Sequence, residues 1–436
     1  MNRAPRLDAE EGLRVWGTHL KKPFGPLSRL CHIPDDLESV TVRGEESDPR
    51  EMGIPRETVE QLWHAAQGVY RSGLHPALQI CIRREGRVVL HRAIGHARGN
   101  DPDDPPSAPK AAIGVDTPFV LYSASKGVTA FLILKLDELG VLHIEDRVAD
   151  YLPEFACHGK EATTIRHVLT HRAGIPTMPR DADFLKDPEH ALAMICEQRP
   201  AFRPGRRVSY HAVSGGYVLG AIIQRATGAD ARAALRRYVA EPLGLRWMSY
   251  GVAPEEVDRI AYDSFTGPPV LPPLSWFVER ALGDSAAGVV RTANTRAFRT
   301  AIVPAGNVVT TADELSLFYM SMANGAAPDE TRVFDPKTIR RATSEQSYYE
   351  IDFTLGTPLR WGLGIMLGGP VSLFGVGTQH AFGHLGFTNI LGWGDPERRI
   401  GVALLNSGKP LLSLGVLPLA NLVFQISRAF PKVAAR

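Results

Sequence analysis

The β-rich runs of this chain sit near its two ends. "ALQICIRR-EG-RVVLHRAI" (77–94) pairs two such runs around Glu85-Gly86, and "TNILGWG-DPERR-IGVALLN" (388–406) pairs two more with a turn at Asp395-Pro396. "LRWGLGIML" (359–367) reads as a further strand. Between the two groups lies a long, mostly helical stretch with Gly- and Pro-rich connections. One sheet built from both chain ends, with a helical domain inserted between them, is the simplest architecture for that order: a mixed α/β (α+β) fold. The boundaries that follow are an N-terminal extension over 1–50, lying on the main body. A sheet domain takes 51–122 and 345–436, and a mainly helical domain takes 123–344. Helices are expected over 56–73, with Val59, Leu62, Ala65, Ala66 and Tyr70 at helical spacing, and near the C-terminus.

Composition narrows the function classes. The 436 residues carry a net charge of +2, which gives no electrostatic reason to bind nucleic acid. Cys31, Cys81, Cys157 and Cys196 match no zinc or CxxC spacing and suit a reducing compartment. The N-terminus has no apolar signal segment, so a cytoplasmic location is expected. The uncharged run from Pro410 to Ser427 is interrupted by Pro418, Asn421 and Gln425 and is short for a membrane span, so a packed helix is expected. His167 and His171, at i and i+4 in "HVLTH", lack the glutamate and third ligand of a zinc site. No metal and no cofactor is expected. A homo-oligomer stays open.

Chemistry concentrates at the join of a strand and a helix, "FVLYSASKGVTAFLILKL" (119–136). Ser123 and Lys126 stand at i and i+3, so they share a helix face. The rest of the helix is apolar, and a desolvated lysine is a plausible proton acceptor. The helix N-terminus also offers backbone N–H groups for an oxyanion. The same Ser-x-x-Lys pattern recurs in "SAPK" (Ser107–Lys110), inside a Pro-rich loop where a helix is disfavoured. The pattern therefore means little without its context. Taken locally, Ser123 reads equally as a nucleophile or as a helix cap beside a snorkelling lysine. Ser125 points about 200° away from Ser123 at 3.6 residues per turn. No Gly-x-Ser-x-Gly elbow occurs.

Two later segments complete an ordered set: "PGRRVSYHAVSGGYVLGAIIQRATG" (204–228) and "AFGHLGFTNILGWGDPERRIGVALLNSG" (381–408). With "SASK", "YHA" (Tyr210–Ala212) and "HLG" (His384–Gly386), the chain resembles the serine β-lactamase and penicillin-binding-protein superfamily in its class C branch. Within that branch it is most similar to the family VIII carboxylesterases. The likeness covers roughly residues 56 to 430. It implies an antiparallel sheet flanked by N- and C-terminal helices, with a large inserted helical domain.

The resemblance also implies roles. Ser123 attacks the acyl carbon, and Lys126 with Tyr210 takes its proton. Tyr210 returns that proton to the leaving alcohol. The N–H groups of Ser123 and Phe387 hold the oxyanion, and Gly386 belongs to the same box. His384 lines the opposite wall and donates to the substrate or to Tyr210. Two residues depart from the β-lactamase pattern. Ala212 replaces an asparagine, and His384 replaces a lysine that holds the β-lactam carboxylate. Both changes suit a neutral ester, and Phe387, Trp393 and Tyr122 are expected around an apolar acyl site. The expected activity is hydrolysis of short-to-medium-chain carboxylic esters, with a small-molecule acyl ester as the partner. A β-lactamase, peptidase, amidase or acyltransferase on the same scaffold, and a penicillin-binding module that does not turn over, stay open.

Overall fold

The structure, a computed structural model, describes residues 28–176, 187–347, 349–411 and 415–433. Most of the N-terminal extension lies outside the described residues. Its later part supplies β1 (Thr41–Arg43), an edge strand of the main sheet. α1 (Arg56–Arg71) follows, burying Val59, Leu62, Trp63, Val69 and Tyr70 along one side.

β2 (Ala77–Arg84) and β3 (Arg87–Arg98) form the first hairpin. Its two turn residues, Glu85 (φ 50°) and Gly86 (φ 86°), are both left-handed, as a two-residue hairpin turn demands. The late strands are β4 (Met366–Leu367), β5 (Phe382–Gly386), β6 (Ile390–Asp395) and β7 (Ile400–Asn406). The sheet runs β1-β3-β2-β7-β6-β5-β4, antiparallel at every step. The chain ends meet at β2 and β7, paired from Leu78↔Asn406 to Arg84↔Ile400.

Three strand expectations change. The run 359–367 is strand only at Met366–Leu367, because the chain turns at 362–365, where the Gly362 N–H meets the Ile365 carbonyl and Gly364 has φ 75°. The second hairpin begins at Ile390 rather than 388, and its turn spans 396–399, where the Asp395 carboxylate accepts from the N–H groups of Glu397 and Arg398. β5 precedes it as a separate strand. The helical section also holds a small sheet of Phe119–Val120, Val308–Thr310 and Ser249–Tyr250, in strands too short to leave a period in the sequence.

The sheet has a different cover on each face. Leu78, Ile80, Val402 and Leu404 pack with Trp63 and Val69 of α1 and with Leu422, Val423 and Ile426 of α5 (Val416–Ala429). On the other side, a second core joins Ala403 and Leu405 to α4 (Ala312–Asn324), α2 (Ser125–Glu138) and α3 (Ser214–Thr227). α2 is buried almost all round from Ser125 to Leu134, as expected of a helix apolar on every side. No helix among the described residues is long and apolar enough to cross a membrane.

Candidate active site

Ser123 sits in a short 3-10 turn, Tyr122–Ala124, that leads straight into α2. The turn begins at Tyr122 with φ 49°, an unusual value for a bulky residue. Ser123 is half-buried, while its neighbours Tyr122, Ala124, Ser125 and Lys126 are buried. Ser123 is therefore the least buried residue of this turn. Ser125 plays a structural part, its hydroxyl accepting the Val308 N–H at 2.9 Å.

Lys126 donates to the Ser123 hydroxyl at 3.1 Å and to the Ala305 carbonyl at 3.0 Å. Its amine also lies 4.8 Å from the centre of the Tyr210 ring. No carboxylate compensates the buried amine, and burial alone pulls it down to about 7. Two residues after Ala305, the Asn307 side chain ties the 298–307 segment together, accepting from the Val303 N–H and donating to the Phe298 and Ala301 carbonyls. Asn307 gave no sequence signal as a site residue.

Tyr210 is buried on the other side of the amine. Burial raises its phenol well above the ordinary range, a hydrogen bond with Ser123 opposes this, and the Asp352 charge adds to it. Asp352, fully buried, accepts the backbone N–H of Tyr210 at 3.1 Å and those of Thr354 and Leu355. It anchors Tyr210 to a loop 140 residues downstream, a link that no local pattern could reveal.

β5 carries His384 to the back of this group. Its Nδ1 lies 2.8 Å from the Leu385 carbonyl. A carbonyl can only accept, so Nδ1 carries the proton and Nε2 is left as an acceptor. Burial, then the Lys126 charge, lowers the imidazole to about 3. The expected donor role is thus corrected: His384 is fully buried, and its Nε2, without a protein partner, is left able to accept but not to donate.

At the end of β5, Gly386 packs onto the nucleophile turn, and Phe387 follows in the β5–β6 turn. The Phe387 ring stacks on that of Tyr122 at 5.6 Å and 29°. Ala212, two positions after Tyr210, is buried. Trp393 is a second correction. Gly383 pairs with Trp393 and His384 with Gly392, so Trp393 and His384 point to opposite faces of the sheet. Trp393 packs on Phe374 beneath the terminal helices, away from Ser123.

The histidines of "HVLTH" have separate duties. His167 accepts the Thr164 N–H, and His171 accepts the His211 N–H at 3.2 Å. Elsewhere, Cys81, His91 and Asp313 come within 4.8 Å of one another. The Arg83 guanidinium already neutralises Asp313 at 2.5 Å, which leaves a metal cation no favourable place.

The family model described as Beta-lactamase matches residues 56–417, most of the chain. The chain belongs to that family. As a member of the beta-lactamase family it is similar to "Esterase/beta-lactamase LipL" of Mycobacterium tuberculosis, 29% identical over 306 residues, with 67% of this chain and 70% of that protein covered. A solved penicillin-binding protein homologue from Caulobacter crescentus matches with TM-score 0.72 and 28% identity, over 89% of this chain and 100% of that one. A solved family VIII carboxylesterase matches with TM-score 0.73 and 26% identity over the same shares. The fold is the beta-lactamase fold, and the chain is a hydrolase of that fold.

Proposed function

We propose that this chain hydrolyses short-to-medium-chain carboxylic esters through an acyl-enzyme on Ser123. The observation that carries the reading is the buried Lys126 amine 3.1 Å from the hydroxyl of half-buried Ser123, with burial pulling the amine down to about 7. Near neutral pH the amine takes the Ser123 proton as Oγ bonds to the acyl carbon. The oxyanion is held by the N–H groups of Ser123 and Phe387. As the C–O bond to the alcohol breaks, the proton passes from Lys126 through the Tyr210 hydroxyl to the departing oxygen. Water then repeats the sequence on the acyl-enzyme and releases the acid. Tyr210, kept as a phenol by burial, relays the proton rather than holding it.

Ester over β-lactam preference rests on His384. A neutral imidazole that presents a lone pair cannot attract a carboxylate, and Ala212 offers an amide nothing to bond. Names of relatives and neighbours that are esterases support the same reading. The test is turnover of p-nitrophenyl esters of increasing chain length beside nitrocefin, for the natural chain and Ser123→Ala. Ester turnover that outruns nitrocefin and vanishes in Ser123→Ala is expected. Retained turnover in Ser123→Ala overturns the serine reading, and nitrocefin turnover equal to ester turnover overturns the ester preference.

A further inference from the structure

Beside Lys126 lies a small, partly open cavity, and Ser123 is not among its lining residues. It has about 20 Å³ open to the centre of a water molecule, where one water needs roughly 10–15 Å³. Lys126, His171, His211, Gly215 and Ala305 are among its walls. His211 is buried, and neither of its ring nitrogens has a hydrogen-bond partner in the protein. Two such atoms, left dry, would cost free energy without return. Gly215 explains how the space persists. A Cβ there would stand 3.3 Å from the His211 Nδ1 and 3.2 Å from its Cβ, inside the same gap. Gly215 lies in the first turn of α3 with ordinary helical geometry, so nothing about its backbone requires glycine.

We propose that this cavity is a hydration site in which a water accepts from the Lys126 amine and donates to an imidazole nitrogen of His211, and that this water solvates the ammonium formed when Lys126 takes the Ser123 proton. The proposal rests on Lys126 as the base. Within the described residues the new charge meets one carbonyl, that of Ala305, and the face of the Tyr210 ring, but no carboxylate hydrogen-bonded to it. The other groups around it are neutral: the Ser123 hydroxyl, the imidazoles of His171, His211 and His384, and the Tyr319 hydroxyl near Gly127. Among the described residues, the carboxylate whose charge reaches Tyr210 is that of Asp352, and its Oδ1 already accepts three backbone N–H groups. Burial, then the Lys126 charge, holds His211 at about 3, so it stays a neutral acceptor across the working range. His211 is therefore a positioning residue, acting on Lys126 through the water.

The test is the pH profile of kcat/KM for p-nitrophenyl butyrate in Gly215→Ala, His211→Leu and His211→Asn, with thermal melting alongside. Gly215→Ala fills the cavity while adding helix propensity of about 1 kcal/mol, so the fold is expected to hold. Removing the water desolvates Lys126 further. The acidic limb is expected to move down by about one pH unit and the plateau kcat to fall about tenfold, as a weaker base requires. His211→Asn, which keeps an acceptor, is expected to recover part of what His211→Leu loses. An unmoved limb in a folded Gly215→Ala overturns the hydration proposal while leaving the Ser123 reading intact. Ester turnover in Ser123→Ala overturns that reading instead.

Discussion

The Gly386 α-carbon stands so close to the Leu121 carbonyl that a Cβ added to it would lie 2.1 Å from the oxygen. Strand β5 and the nucleophile turn therefore touch backbone to backbone at the residue before Phe387, the proposed second oxyanion donor. Gly386→Ala must push β5 off the turn. With one oxyanion donor displaced, kcat is expected to fall about 10²–10³-fold with little change in KM. Steady-state kinetics on p-nitrophenyl butyrate measure it, and an unchanged kcat would remove Phe387 from the oxyanion hole.

Lys126 links activity and stability to pH in opposite senses. Activity needs the free amine, so kcat/KM is expected to fall as pH drops below about 7. Lys126→Arg, charged at every working pH, is expected to be inactive. For stability, the folded value of about 7 lies below the ordinary lysine value of 10.5. Between them the unfolded chain binds more protons, so stability rises with pH across that window and the cost of burying the charge is greatest below it. Lys126→Met leaves the Ala305 carbonyl unpaired but removes that cost. A net gain of about 1–3 kcal/mol near pH 6, fading towards pH 10, is expected from denaturant melts. No gain at the acid end would show that the amine is better solvated than its surroundings imply.

Asp352 is placed to set Tyr210 through its backbone. Asp352→Ala leaves the N–H groups of Tyr210, Thr354 and Leu355 without their acceptor. Each buried unsatisfied group costs about 1–3 kcal/mol. A lower melting temperature together with a kcat loss of at least tenfold is expected, because a displaced phenol no longer completes the relay. A stability loss with unchanged kcat would confine Asp352 to the fold.

These residues mark how far the sequence could be read. The two hairpins, α1 and the nucleophile helix were legible because each is a local pattern: a period, a turn pair, or an apolar run with one misplaced cation. Ser123, Lys126 and Tyr210 were legible as an ordered set, and the geometry gathers them around one amine. Asp352, Asn307 and His211 were not. Each acts through a backbone group or a cavity wall far along the chain, which leaves no spacing to count. Trp393 misled because nearness in sequence says nothing about which face of a strand a side chain takes; one residue separates core from cleft. The direction of the His384 proton also lay outside sequence reasoning, since the Leu385 carbonyl decides it.

A buried ion pair stands directly under the turn. Lys409 and Asp263, both almost fully buried, lie 3.2 Å apart, and the Lys409 amine is 5.1 Å from the centre of the Tyr122 ring. The Tyr122 ring thus meets both this cation and the Phe387 ring, at the left-handed residue just before Ser123. Lys409→Met leaves Asp263 buried without its counter-ion, which costs about 3–5 kcal/mol. Lys409→Met with Asp263→Leu removes both charges and is expected to recover much of that stability. Activity need not follow. If the pair also fixes the Tyr122 backbone, the double variant melts near the natural temperature yet keeps a kcat at least tenfold low. Full recovery of kcat with stability would show that the Phe387 stack alone is enough to hold the turn.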